Sequence, residues 1–205
     1  MRLETPRGPI EARRVIITVS TGILAEHILF TPRLPDWKRG AIADLPMGSC
    51  NKVILRFQRP VFGDFPPSLI LPLKGNESVE IVVREGSAEI ATCLINGPQA
   101  KELSAAGPVA MTDFALERLG GLFGSAILRQ IVAGTAIADW DADPFTRGCF
   151  SAACPGRADA RFDLARSIDD RLFFAGEACA RDYIGDVHGA WASGVEAADM
   201  VSGLL

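Results

Sequence analysis

Residues 171–178 read RLFFAGEA and residues 187–194 read VHGAWASG. The first is an apolar strand running directly into Gly176-Glu177. The second opens a stretch, Gly189 to Leu204, in which Ala190, Trp191, Gly194, Val195, Ala198 and Val201 fall at helical spacing and predict the buried face of a terminal helix. A buried strand ending beside the start of a helix is where α/β proteins hold ligands. Arg14 to Ser20 (RVIITVS) is a second β-branched run, suited to a strand buried on both faces of a mostly parallel sheet.

Between these runs the pattern changes. Thr21-Gly22 is read as a turn, and Asp36 as the cap of a helix through Leu45 with Trp37, Ile42 and Leu45 on one side. Asn51 to Phe57 alternates, with Lys52, Ile54 and Arg56 on one face and Val53, Leu55 and Phe57 on the other. Leu69 to Leu73, Val79 to Arg84 and Glu89 to Ile95 continue as strands of an antiparallel meander, separated by turns at Gly75-Asn76 and Gly86-Ser87. Gln99 to Ala106 and Val109 to Leu122 favour helices that cover the sheet, Met111, Phe114, Ala115, Arg118 and Leu122 stepping by three or four. Gln130 to Trp140 returns to strand-like composition, and Pro144 to Gly156 reads as loop. The expected class is α+β (α/β-related): a mixed sheet covered by helices in a middle lobe over 36–138, inserted between 1–35 and 139–205.

Composition narrows the function. The 205 residues are 48% apolar with a net charge of -4 and a pI near 5.3, which supports a core and gives no field for nucleic acid. The charged opening MRLETPRGPIEARR is unlike a signal peptide, and no apolar run has the 18 or so residues a membrane span needs, so no membrane association and a cytoplasmic location are expected. Five cysteines suit reduced thiols rather than a disulfide framework. Two isolated histidines, His27 and His188, predict no metal site. Asp139, Asp141 and Asp143 lack the spacing of a calcium loop and read as a solvated acidic turn.

Several residues stand out as carriers of chemistry. Gly176 permits close backbone approach of a ligand, and Glu177 either accepts hydrogen bonds from ligand hydroxyls or sits solvated at an ordinary junction. Val187, His188 and Ala190 open the terminal helix, whose free N–H groups attract negative charge. His188 alternatively caps or packs. Lys52 is either an inward amine or an exposed lysine on a polar strand face, Trp140 is either a ring partner or core, and Cys149 is a loop thiol.

These stretches together resemble the flavin-containing monoamine and polyamine oxidases. That family carries a W…DP[FY]…G-[CS]-[FY] stretch, an FAGE strand and a helix opening H-G-A or E-G-A, matched here by WDADPFTRGCF, RLFFAGEA and VHGAWASG. RVIITVSTGIL and MGSCNKVILRFQRPVF resemble its V-x-VP-x-G-x-L and M-G-x-x-x-K-V segments, so the resemblance spans nearly the whole chain. No G-x-G-x-x-G loop follows a strand, and the chain resembles the C-terminal two-fifths of such an oxidase, without its N-terminal dinucleotide-binding part. The resemblance implies an FAD-domain edge over 1–35, a substrate-binding domain over 36–138 and an FAD-closing segment over 139–205. It implies oxidation of an amine C–N bond by hydride transfer to FAD, with molecular oxygen as acceptor. Lys52 takes the place of the lysine that holds a water at flavin N5. Trp140, Cys149, Gly176, Glu177, Val187, His188 and Ala190 take cofactor-facing positions. Cys149 stands where monoamine oxidases attach flavin covalently. Phe150 and Asp186 occupy the positions of the two tyrosines that frame substrate in monoamine oxidases. Alone, the chain is expected to bind FAD weakly and be inactive, pairing with an N-terminal half or self-associating through apolar surface. A desaturase or protoporphyrinogen-type oxidase on the same scaffold, and a non-catalytic split or truncated binding module, are the alternatives.

Overall fold

A computed structural model describes residues 1–72, 78–83, 89–132 and 134–204, so the turns expected at Gly75-Asn76 and Gly86-Ser87 lie outside the described residues. In chain order the elements are β1 (Arg2–Leu3), β2 (Ile10–Glu11), β3 (Val15–Ile17), α1 (Thr21–Glu26), α2 (Asp36–Ala43), β4 (Cys50–Arg56), β5 (Ser68–Pro72), β6 (Ser78–Val83), β7 (Ile90–Asn96), α3 (Gly97–Ala106) and α4 (Pro108–Phe123). β8 (Ala136–Ala138), α5 (Ala160–Ala165), β9 (Leu172–Phe174) and α6 (Val187–Ser202) follow. This is the α+β class expected. Contacts divide the chain into Met1–Gly48 with Phe145–Leu205, and Ser49–Pro144.

The unit Ser49–Pro144 is an antiparallel sheet in the order β5-β6-β7-β4-β8. Alternation puts Val53, Leu55, Ile81, Val83, Cys93 and Ile95 on one face, where α3 and α4 seal them with Ala100, Met111, Ala115 and Leu119. The meander appears as expected, but Gln130 to Trp140 forms a strand only over Ala136–Ala138, and a 3-10 turn spans Ile127–Gln130.

The other unit is built on the parallel pair of β3 and β9, in which Val15, Ile16 and Ile17 face Leu172, Phe173 and Phe174. β9 is fully buried, whereas Ile16 is exposed, so β3 is not covered on both faces as its composition suggested. Thr21-Gly22 begins α1 rather than turning the chain, because the Ser20 hydroxyl accepts the Ile23 N–H at 3.3 Å and caps the helix. Asp36 lies in the first turn of α2 instead of capping it; the cap position is Pro35, and the helix ends at Ala43. α6 turns a different side inward from the one its apolar residues suggest. Gly189, Ser193 and Ala197 are buried, while Trp191 is 73% and Val195 40% exposed. Small side chains every four residues let the helix approach the Gly176 turn closely enough for Ser193 to hold both its N–H and its C=O, each at 2.9 Å.

Candidate active site

In the unit built on β3 and β9, a cleft of about 220 Å³ opens at the C-terminal ends of the parallel strands, lined by Val19, Thr146, Cys149, Gly176, Glu177 and Ala190 among others. Ligands of parallel α/β sheets bind at this end of the strands. Four of the residues singled out from sequence, Cys149, Gly176, Glu177 and Ala190, thus meet at one cleft. Gly176 adopts φ 134°, a conformation that side chains disfavour, and leaves backbone facing the opening. Glu177 is not solvated: its Oε1 accepts the Ser151 N–H and its Oε2 the Ser151 hydroxyl, both at 2.8 Å. Buried Arg161 stands behind them, donating to Ser151 Oγ at 2.8 Å and to Ser151 O at 3.1 Å, with Glu177 Oε2 3.9 Å away. Ser151, Arg161 and Ser193 drew no attention in the sequence.

The loop carrying Cys149 is fastened from the other side. The Cys149 N–H donates to Gly48 O at 2.8 Å and the Gly48 N–H to Phe150 O at 2.7 Å. A Cβ on Gly148 would lie 2.4 Å from that of Met47, so this approach demands glycine. The Phe150 ring lies 3.4 Å from where a Gly185 Cβ would stand, next to Asp186. Asp186 occupies the N-cap position of α6 but makes no side-chain cap bond. Val187 and His188 are exposed, and the His188 ring stands 5.8 Å from that of Tyr183. Gly189 explains the H-G-A signature sterically: a Cβ there would meet the Tyr183 carbonyl oxygen at 2.4 Å.

In the sheet unit, Lys52 is half-buried on β4 opposite Leu94 and Ala138. Its neighbour Asn51 is fully buried, accepts the Trp140 N–H at 2.9 Å and donates to Asp141 Oδ2 at 2.8 Å. Asp141 also accepts from Ser49, and Asp139 from Ser104, each at 2.7 Å. The acidic turn read as solvated is therefore a set of structural acceptors that fixes the Trp140 segment against β4.

The thiols differ sharply. Burial pushes those of Cys93 and Cys179 up to about 12, whereas Cys149 and Cys154 are partly exposed. A chromogenic disulfide reagent at pH 8 is expected to label Cys149 and Cys154 first and to reach Cys93 and Cys179 only after denaturation. Labelling of Cys179 at the rate of Cys149 would contradict this burial.

The family model described as flavin containing amine oxidoreductase matches residues 2–202. The chain belongs to that family. It is 32% identical over 200 residues to lysine-specific histone demethylase 1 homolog 3 of Arabidopsis thaliana, covering 93% of this chain and 12% of that protein. It is 29% identical to polyamine oxidase 5 of Oryza sativa subsp. japonica, covering 92% and 38%. Its fold matches cyclohexylamine oxidase from Brevibacterium oxydans IH-35A with a TM-score of 0.80 at 20% identity, covering 99% of this chain and 46% of that one. The chain thus spans less than half the length of each of these proteins. Among the described residues no helix is long and apolar enough to cross a membrane.

A complete ligand pocket typically measures roughly 300–1,000 Å³. The cleft of about 220 Å³, open backbone at Gly176 and the positive end of α6 fit one end of a flavin rather than a whole dinucleotide.

Proposed function

We propose that this chain forms the substrate-binding and flavin-closing part of an FAD-dependent amine oxidase. Met1–Gly48 with Phe145–Leu205 belongs on the flavin side and Ser49–Pro144 on the substrate side, so the boundaries lie some residues beyond the 35/36 and 138/139 expected from sequence. The observation that carries the reading is the meeting of Cys149, Gly176, Glu177 and Ala190 at the strand-end cleft, in a chain of the amine oxidoreductase family. FAD, when bound, accepts hydride from the carbon next to the amine nitrogen and passes electrons to molecular oxygen. Around it, Gly176 offers backbone, Glu177 offers its remaining acceptor capacity to hydroxyls, and the start of α6 at Val187, His188 and Ala190 favours negative charge. Cys149 offers a thiol for covalent attachment. Lys52 holds a water and moves its proton, Trp140 packs against the ring, and Phe150 with Asp186 shapes the amine pocket. Asp186 supplies negative charge for a cationic substrate where a second aromatic ring would otherwise stand.

By itself the chain is expected to bind FAD weakly, since its cleft accommodates only part of the cofactor; a dinucleotide-binding half completes the site, and without one the exposed apolar surface favours self-association. Visible absorption of the chain with FAD and a separately expressed dinucleotide-binding half tests this, followed by acid precipitation. Bound flavin that bleaches anaerobically with an amine, and bleaches at least ~10-fold more slowly in Lys52→Met, is expected. Flavin left in the acid pellet, and lost in Cys149→Ala, would mark covalent attachment. Failure to take up flavin with the half supplied, or amine turnover by the chain alone, would sink the reading.

A further inference from the structure

A second cleft, of about 380 Å³, opens beside the N-terminal end of β9 and lies wholly within the unit built on β3 and β9. Its volume falls in the roughly 300–1,000 Å³ typical of ligand pockets, which the strand-end cleft of about 220 Å³ does not reach. Leu172 on its wall stands four residues before Gly176, about 13 Å at the ordinary rise of a strand, so a molecule seated here is out of reach of chemistry at the strand-end cleft. Phe30, Leu34, Ile168 and Leu172 form an apolar floor at the edge of the core that α2 and α5 share with β9. The walls are fastened. Asp169 and Asp170 adopt φ 53° and 51°, and in this tight left-handed turn Ile168 O accepts the N–H groups of Arg171 and Leu172 at 3.1 Å each, which fixes where Arg171 leaves the chain. On the wall formed by residues 30–35, Leu34 O accepts from Arg39 Nε at 3.3 Å.

The opening carries charge. Arg2, Arg33, Asp169 and Arg171 line it and are exposed, and Arg2 Nε pairs with Glu4 at 2.7 Å. That leaves Arg33 and Arg171 against Asp169, an excess of one positive charge above an apolar floor, on a chain whose net charge is -4. A guanidinium fork presents paired N–H donors that match the two oxygens of a carboxylate. We propose that this cleft is a second ligand site, for an apolar monocarboxylate whose alkyl or aryl body lies on the floor and whose carboxylate sits between Arg33 and Arg171. A neutral alcohol of the same shape leaves the arginines to water, and an amine meets the excess positive charge. The site needs no flavin, so it stands or falls apart from the proposed function.

The test titrates the 205-residue chain with 3-phenylpropanoate, 3-phenylpropan-1-ol and 3-phenylpropan-1-amine at low salt, by calorimetry and by methyl and backbone resonances. The carboxylate is expected to bind at least ~5-fold more tightly than either analogue, the scale of two exposed ion pairs, and to lose that margin as salt is raised. Resonances of Leu34, Ile168 and Leu172 should shift while those of Gly176 and Ala190 stay in place. Arg33→Gln and Arg171→Gln should each cut the preference about 2-fold or more, with the alcohol's affinity and the melting temperature unchanged, because both side chains are exposed. Arg59→Gln, at an exposed arginine of the sheet unit, should alter nothing. Equal affinity for the three compounds, no binding of the carboxylate, shifts confined to the strand-end cleft, or a preference that survives in the double variant of Arg33 and Arg171 overturns the proposal.

Discussion

Lys38→Met is expected to destabilise the unit built on β3 and β9 by about 3 kcal/mol at pH 7, the scale of leaving buried polar groups unpaired. Lys38 has no exposed surface, yet its ammonium donates to the carbonyls of Asp163 at 2.9 Å and of Leu164 and Arg166 at 2.6 Å. These carbonyls close the C-terminal end of α5, where helix acceptors lack intrahelical donors. The same ammonium lies 4.0 Å from the Phe174 ring centre, which joins α2, α5 and β9 at one point. Methionine preserves length and apolar bulk but supplies no donor. Burial, the dominant cause, lowers the Lys38 pKa from the ordinary 10.5 to about 8. Below pH 8 both folded and unfolded chains hold the proton. Between about 8 and 10.5 only the unfolded chain holds it, so the contribution of Lys38 to stability rises with pH across that window. Cys93 and Cys179, raised to about 12, act oppositely above pH 9, because the folded chain keeps protons that the unfolded one releases. Denaturant midpoints of wild type and Lys38→Met, compared at pH 7 and pH 10, largely cancel the cysteines. The gap should widen at pH 10, and a gap that closes would mean the three carbonyls hold the ammonium more firmly than burial opposes it.

Lys38 also shows where sequence reading stops. Its three acceptors lie 125 to 128 residues away, and locally it is one more charge on an amphipathic helix. Elements whose apolar residues repeat over several turns or pleats were legible: β4, β6, β7 and α4 appear within a few residues of their expected bounds. The six-residue helices α1 and α5 were not, since so short a run shows no period and each is held by partners from elsewhere in the chain. Apolar content, Trp191 and Val195 above all, predicts the wrong buried face for α6. Here small size decides, since Gly189 and Ser193 permit the close approach to Ala180, Tyr183 and the Gly176 turn. Gly176, Glu177 and Ala190 are legible from the strand-to-helix junction and Cys149 from the family resemblance, but the groups that hold them are not.

The strongest of those groups is Arg161, and Arg161→Met is expected to cost about 3–5 kcal/mol, the scale for removing one member of a buried charged set. Its side chain is 7% and that of Glu177 20% exposed, so the carboxylate has little water to fall back on. The guanidinium fork bonds both Ser151 Oγ and Ser151 O and reaches Ala178 O at 3.3 Å, tying the loop after Cys149 to the turn after β9. Lysine retains the charge but loses the fork, so Arg161→Lys should fall between wild type and the methionine variant. Glu177→Gln should cost less, because one amide oxygen still accepts from Ser151 and no unpaired anion remains. In a double-mutant cycle the two substitutions are expected to be less than additive by about 1 kcal/mol or more, the mark of a shared network. Alkylation of Cys149 supplies a local readout, faster in Arg161→Met at temperatures where the chain is still folded, because the segment from Gly148 to Ser151 loses its inner anchor. Additive energies with an unchanged Cys149 rate would mean that Arg161 stabilises α5 alone and leaves the cleft to its backbone bonds with Gly48.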